Sequence, residues 1–291
     1  MATAREWVEG ARPRTLSAAV APVAVGTGLA AFAGALYVSR TALALIVAVA
    51  LQVGVNYAND YSDGVRGTDR ERVGPVRLVG QGLAPPTAVR TAAFVAFAIA
   101  AIAGLALVVL SQAWWLLLVG AASIAAAWLY TGGPRPYGYA GLGEVFVFVF
   151  FGPVPVIGTA YVQTLTITGL DVLASIGVGM LSCAILVTNN LRDIPTDELH
   201  GKRTLAVRLG PDRTRILFAA LVLAALTLPI PLSALTSPWV LATMLTALWA
   251  LGPLRIVLSA ATGPALVSAL KSTGLLLLIY GLVMGITIAI S

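Results

Sequence analysis

The sequence predicts an all-α, polytopic membrane protein of about nine transmembrane helices. Of its 291 residues 59% are hydrophobic and only 10% charged, whereas a soluble domain carries about 25% charged residues. Too little polar surface remains to cover a folded body in water. Apolar runs of the roughly 20 residues needed to cross a bilayer recur along the whole chain. Each run is rich in Ala, Leu and Val with scattered Gly and lacks the alternation of barrel strands. Since only helices or closed barrels satisfy the backbone in lipid, helices are expected.

The predicted spans run 14–35, 41–61, 88–110, 113–131, 141–162, 170–192, 213–233, 237–257 and 268–290. The first is entered through a basic string, ARPRTL at 11–16, which could touch lipid phosphate or substrate. The second ends in NYANDYSDGVRGTD at 56–69, with Gly64 expected to terminate the helix. Trp114 and Trp115 open the fourth, and Trp239 the eighth, as interface anchors. The fifth follows GGPRPYGYAG at 132–141 and carries Glu144 in its first turn, where a helix N-terminus favours an acid. Asp171 opens the sixth as a cap, and Cys183, the single cysteine, lies within it and excludes an internal disulfide. Polar stretches near 61–87 and 192–212 read as cytoplasmic loops of one domain spanning 1–291.

Charge placement orients the chain. With nine spans, all of the 18 Lys and Arg except Arg40 fall on the side of the N-terminus. Positive residues stay cytoplasmic, so the N-terminus is expected inside and the C-terminus outside, with any site at this end facing the cytoplasm. The net charge of +6 follows from this orientation and is no sign of a nucleic-acid partner. All of the 12 Asp and Glu except Asp171 share that side. Orientation does not require this, since acidic residues contribute little to it.

Those acids sit in two related strings at the ends of spans two and six, an Asn-then-Asp pattern used twice. In the first, Asn56 and Asp60 are four apart, as are Asn59 and Asp63. In the second, NNLRDIPTDELHGKRTLAVRLG at 189–210, Asn189, Asp193 and Asp197 repeat at the same interval. Residues four apart share a helix face, although Pro195 predicts a kink or helix end near 191–195. Two acidic stripes repel unless a divalent cation lies between them. Mg²⁺ suits carboxylate oxygens and commonly completes its shell with water and a substrate phosphate. The lone His200 and Cys183 cannot build a zinc site. Helix capping, or pairing with Arg192, Lys202 and Arg203, is the simpler reading of any one carboxylate, and the matched pair is what favours a metal. Arg66, Arg72, Arg77, Lys202 and Arg203 follow the acidic strings and suit a diphosphate, with lipid headgroup contact or topology as the simpler reading of each. Lys202 stands out because Lys is rare here. Arg135, Tyr137 and Tyr139, with Tyr130, could frame a planar anionic aromatic ligand or simply anchor the interface.

At these strings the sequence resembles the UbiA-type intramembrane prenyltransferases, which carry two Asp-rich motifs of the form N-x-x-x-D-x-x-x-D on helices two and six of nine. Asn189, Asp193 and Asp197 fit the second motif. Asn59 and Asp63 fit the first, but Gly67 stands at its last position and the next acid is Asp69. The NDYSDGVRGTD form, GPVRLVG at 74–80 and the run from NNLRDIPTD to GKRTLAVRLG resemble the branch that prenylates 1,4-dihydroxy-2-naphthoate in menaquinone biosynthesis. The resemblance implies a bacterial plasma (inner) membrane and helices around a central cavity opening to the cytoplasm and laterally to membrane lipid. It implies Mg²⁺ as cofactor, polyprenyl diphosphate and 1,4-dihydroxy-2-naphthoate as substrates, and demethylmenaquinone with CO₂ as products. Asp60, Asp63, Asp69, Asp193 and Asp197 would then be metal ligands. Asn56, Asn59, Asn189, Lys202, Arg203, Arg66 and Arg77 would bind the diphosphate, and Tyr130, Arg135, Tyr137 and Tyr139 the acceptor. Sister enzymes using 4-hydroxybenzoate, homogentisate or a porphyrin-type acceptor are the near alternatives. A transporter is the alternative from another class, although transporters bury ionisable groups near the midplane rather than at one end.

Overall fold

A computed structural model describes residues 2–67 and 76–291, and among these every regular element is helical. A short α1 (Ala4–Gly10) and a 3₁₀ turn (Pro13–Thr15) lead into α2 (Ser17–Phe32). Then come α3 (Val38–Arg66), α4 (Pro86–Ser111), α5 (Leu116–Leu129), a 3₁₀ turn (Tyr137–Ala140), α6 (Gly143–Phe151), α7 (Pro153–Thr164) and α8 (Gly169–Leu199). The chain closes with α9 (Leu205–Thr227), α10 (Pro229–Leu235), a 3₁₀ stretch (Pro238–Thr246), α11 (Ala247–Leu258) and α12 (Pro264–Ala289). This is a multi-pass membrane protein. Seven helices or helix pairs are long and apolar enough to cross a bilayer, and eight if the pair broken by 49° before Ser17 counts as one span. The predicted fourth span is α5, whose 14 residues reach about 21 Å at 1.5 Å per residue. That is short of a hydrocarbon core of about 30 Å, so length and composition of the described residues do not confirm the ninth crossing.

Small residues bring the helices together. On the α2–α12 seam a Cβ at Gly28 would lie 2.1 Å from the Gly285 carbonyl oxygen, so the two backbones touch, as at small-residue contacts in lipid. The main core joins α2, α8, α9 and α12 around Leu181, Phe218, Leu277 and Tyr280. A second cluster joins α3 and α4 through Tyr57, Ala58, Leu78 and Phe97. At one end of the molecule Arg40 donates to the carbonyls of Val162 and Leu110, and Gln163 accepts the Tyr37 amide. The acidic strings lie at the other end.

Several local expectations change. Gly64 does not end α3: the helix continues to Arg66, and Gly67 caps it at φ 75°. At Gly64 the missing side chain instead lets Val79 approach, since a Cβ there would meet that side chain at 2.5 Å. Pro195 does not end α8, which runs one further turn to Leu199. The stretch read as a loop at 192–212 is therefore mostly helical, with only His200–Thr204 between α8 and α9 and a break at Gly210. Asp171 completes a capping box whose N-cap is Thr168.

Candidate active site

The ends of α3 and α8 enclose a polar pocket of about 70 Å³. From α3 come Asn59 and Asp63, from α8 Asn189, Asn190, Asp193 and Asp197, and from the connections Arg77, Thr131, Tyr139, Lys202 and Thr204. Asp193 and Asp197 are four apart, so both face this pocket, as the periodicity of one helix demands. Lys202 reaches it through a Schellman turn. The Gly201 amide donates to Glu198 and the Lys202 amide to Asp197, at 3.1 and 2.8 Å, with Gly201 at φ 68°. This arrangement folds the chain back beneath the helix end.

Lys202 links the two helices electrostatically. Its Nζ lies 3.4 Å from Oδ1 of Asp63 on α3 and 3.9 Å from Oδ1 of Asp197 on α8. It also lies over the Tyr139 ring, 4.5 Å from the centroid. The Tyr139 hydroxyl donates to Asp63 at 2.5 Å. Burial, reinforced by the Asp63 carboxylate, pushes the Tyr139 phenol well above its ordinary pKa, so it remains a donor. Asp193 is held by its neighbour: Arg192 donates to both carboxylate oxygens, at 2.7 and 2.8 Å, and to Asn189 at 2.9 Å. Thr131 donates to Asn59 at 2.8 Å. Glu144 accepts from Asn190 at 3.0 Å, so the acid expected at a helix start also holds a pocket residue in place.

Behind this pocket opens a chamber of about 580 Å³ with mostly apolar walls from α2 to α8. The stacked rings of Tyr137 and Phe146, with centroids 3.9 Å apart, lie on one wall. Arg12, Asn59, Tyr130 and Asn189 line both cavities and form the neck between them. Among the described residues Arg12 is the only charged one lining the chamber. It sits at φ 54° in a segment pinned to α3 on both sides. Asn56 donates to the Ala11 carbonyl and the Thr15 hydroxyl, at 2.8 and 2.9 Å, and Gln52 donates to the same hydroxyl at 2.9 Å.

Of the residues expected at the site, Asn59, Asp63, Arg77, Tyr130, Tyr139, Asn189, Asp193, Asp197 and Lys202 therefore line the polar pocket, and Asn56 and Tyr137 only the chamber. Asp60, Arg66, Arg135 and Arg203 line neither. The Asp60 carboxylate faces the chain returning at residues 78–79. The Arg66 guanidinium donates to the carbonyls of Thr131 and Gly133. Arg135 is exposed. Arg203 is exposed too, and its amide donates to the Tyr139 carbonyl. Asp69 and Arg72 lie outside the described residues. Arg12 lies in the basic string that could touch lipid phosphate or substrate, and Thr131, Asn190 and Thr204 are pocket residues not named from sequence. The doubled Asn at 189–190 and the arginine before Pro13 were the available signals for two of them. Nothing local marks the two threonines.

The model of the UbiA prenyltransferase family matches residues 19–271. A 1,4-dihydroxy-2-naphthoate octaprenyltransferase of Mycobacterium tuberculosis is 54% identical over 285 residues, covering 97% of this chain and 96% of the relative. One from Escherichia coli is 41% identical over 226 residues, covering 76% and 73%. Among solved structures, a UbiA homolog from Aeropyrum pernix superposes with a TM-score of 0.70 at 17% identity, covering 94% of this chain and 97% of that one. A UbiA homolog from Archaeoglobus fulgidus bound to DMAPP and Mg²⁺ gives 0.67 at 15% identity, covering 96% and 99%. With a family model matching most of its length and relatives this similar, the chain belongs to the UbiA prenyltransferase family.

Proposed function

We propose that this protein transfers a polyprenyl chain from polyprenyl diphosphate to 1,4-dihydroxy-2-naphthoate, with loss of CO₂, giving demethylmenaquinol, the hydroquinone that oxidises to demethylmenaquinone, in menaquinone biosynthesis. The observation that carries this reading is a polar pocket of mixed carboxylates and cations that shares Arg12, Asn59, Tyr130 and Asn189 with an adjoining apolar chamber. The acceptor is taken from the naphthoate-specific relatives, which cover almost the whole chain. The chain is read as one domain across 1–291 in the plasma (inner) membrane of a bacterium. Its N-terminus and polar pocket face the cytoplasm in this reading, which the charge distribution supports.

The donor set fits Mg²⁺. Asp63, Asp193 and Asp197 supply hard oxygens, with the carboxamides of Asn59 and Asn189 beside them. Among the described residues no three of His, Cys, Asp and Glu stand close enough to hold a metal by themselves. Such a shell suits an ion that keeps water and takes its remaining ligands from phosphate. The Lys202 ammonium, between Asp63 and Asp197, occupies the position where a cation relieves the repulsion of the two carboxylates. Bound there with the donor, Mg²⁺ would stabilise charge on the departing diphosphate. Asp69 is assigned to the same role.

The chain's own residues do the rest. Lys202 and Arg77 neutralise the diphosphate as the allylic C–O bond breaks and its electron pair leaves with oxygen. The isoprenoid lies in the apolar chamber and continues into lipid. Tyr130 at the neck and Tyr137 on the wall present ring faces to the acceptor. The electron-rich acceptor ring attacks the allylic carbon, a C–C bond forms, and the carboxylate departs as CO₂. Arg66 and Arg203 act on this site through the backbone contacts they make.

The test is turnover by the purified protein with Mg²⁺, a polyprenyl diphosphate and separate acceptors, with products identified by mass. 1,4-Dihydroxy-2-naphthoate should give demethylmenaquinol, which oxidises to demethylmenaquinone. Product from 4-hydroxybenzoate or homogentisate and none from the naphthoate would overturn the assignment.

A further inference from the structure

Asp60 and Asp63 lie on one helix but do different things. Three residues are 300° of α-helix, so the two side chains leave α3 about 60° apart. Asp63 faces the polar pocket. Asp60, 0% exposed, faces the segment that returns to α4. Its Oδ2 accepts the Leu78 amide at 2.7 Å and its Oδ1 the Val79 amide at 3.1 Å. A carboxylate taking two backbone N–H groups is a strong, directional clamp. The same segment is seated by packing: Leu78 is fully buried against Tyr57 and Ala58, and Val79 lies against Gly64. Its turn is closed by the Leu83 and Ala84 amides donating to the Leu78 carbonyl, at 2.8 and 2.9 Å. The residue immediately before the two clamped amides is Arg77, 5% exposed, whose side chain lines the polar pocket.

The geometry points to Asp60 as a positioning residue: it clamps the Leu78 and Val79 amides and so presents the Arg77 guanidinium to an anionic ligand in the pocket, rather than ligating metal. This rests on the proposed function only for the ligand, a prenyl diphosphate.

The experiment compares Asp60→Asn, Arg77→Gln, the double variant and Asp63→Asn in the full-length protein in detergent. Asn leaves one acceptor and turns an amino group toward an amide. Amide hydrogen exchange across residues 76–84, measured without substrate, should quicken in Asp60→Asn and not in Asp63→Asn. The KM for prenyl diphosphate should rise roughly 10- to 100-fold in both Asp60→Asn and Arg77→Gln, the scale of one charge-assisted contact. The double variant should stay within about twofold of Arg77→Gln, because both changes act through one group. The half-saturating Mg²⁺ concentration should stay near wild type in Asp60→Asn and rise in Asp63→Asn. Unchanged exchange, multiplying KM effects, or a Mg²⁺ shift in Asp60→Asn like that of Asp63→Asn would overturn the inference. If Asp60→Asn does not fold, Val79→Pro removes one donor and leaves Asp60 intact. It should raise the diphosphate KM at unchanged Mg²⁺ dependence, and a wild-type KM in that variant would equally overturn the inference. The exchange readout needs no turnover, so loss of the proposed reaction and loss of this role are separable.

Discussion

Replacing Lys202 with Met removes a positive group that joins the α3 and α8 carboxylates. At 3.4 and 3.9 Å the gross attractions to Asp63 and Asp197 are about 5 and about 4 kcal/mol at an effective dielectric near 20. Desolvation of three nearly buried groups offsets most of this, and the Tyr139 hydroxyl still serves Asp63. A net loss of about 2 kcal/mol is expected, which lowers the melting temperature by roughly 4–8 °C for chains of comparable size. The loss should depend on metal. In EDTA the variant should melt below wild type. With Mg²⁺ at about 100 times its dissociation constant, up to about 2.7 kcal/mol is recoverable by mass action, and the variant should gain more than wild type does. Turnover should fall roughly 10- to 150-fold in kcat/KM, the value of one charged contact to the diphosphate. Thermal unfolding in detergent with and without Mg²⁺, beside a turnover assay, reads both effects. A variant that melts with wild type in EDTA and gains no more from Mg²⁺ would refute the bridging role.

Asp193→Asn should cut turnover by at least about a hundredfold while leaving a folded, extractable protein, because Asn189 still accepts from Arg192; wild-type rates would contradict its place as a metal ligand. EDTA should abolish turnover and Mg²⁺ restore it, and activity persisting in EDTA would remove the metal from the reaction. Gly28→Ala should destabilise the α2–α12 seam by about 1–3 kcal/mol, since its Cβ would meet the Gly285 carbonyl; an unchanged melting temperature would show that the seam gives way freely. Tyr139 should ionise later than an ordinary tyrosine, whose pKa is about 10. The stability it contributes is intact below that value and is lost as pH rises through the higher folded one. The absorbance titration of Tyr139→Phe should lack one late-ionising phenol, and a difference confined to ordinary pH would refute this.

What was legible in the sequence was whatever a single helix decides. Asn189, Asp193 and Asp197 repeat every four residues, so one face of α8 collects them however the rest of the chain folds. Lys202 stood out as a rare residue type just past that helix, and the Schellman turn at Gly201 makes the association structural. Illegible were features decided between distant segments. Asp60 fits the same spacing logic as Asp63, yet its direction is settled by a segment returning eighteen residues later. Arg12 enters the neck because Asn56 and Gln52 hold the residues beside it, a contact across some forty positions. Pro195 carried a local rule toward a helix end. The helix nevertheless continues, with Leu191 and Ile194 buried in the main core, and burial outweighs local propensity there. Gly64 and Gly67 were indistinguishable by type. Only the proximity of Val79 shows that the first serves close packing and the second a left-handed cap.

The neck of Arg12, Asn59, Tyr130 and Asn189 has a consequence for traffic through the molecule. Apart from CO₂, the products of the proposed reaction differ in kind: the prenylated ring carries a greasy tail, and diphosphate is a small polyanion. A constriction between a wet vestibule and an oily hall sorts them by solvent, so each departs by the end it came from. In the proposed reaction spent diphosphate would leave past Lys202, and the prenylated ring compound would leave by the chamber. Neither has to cross the other's path before the next pair of reactants arrives.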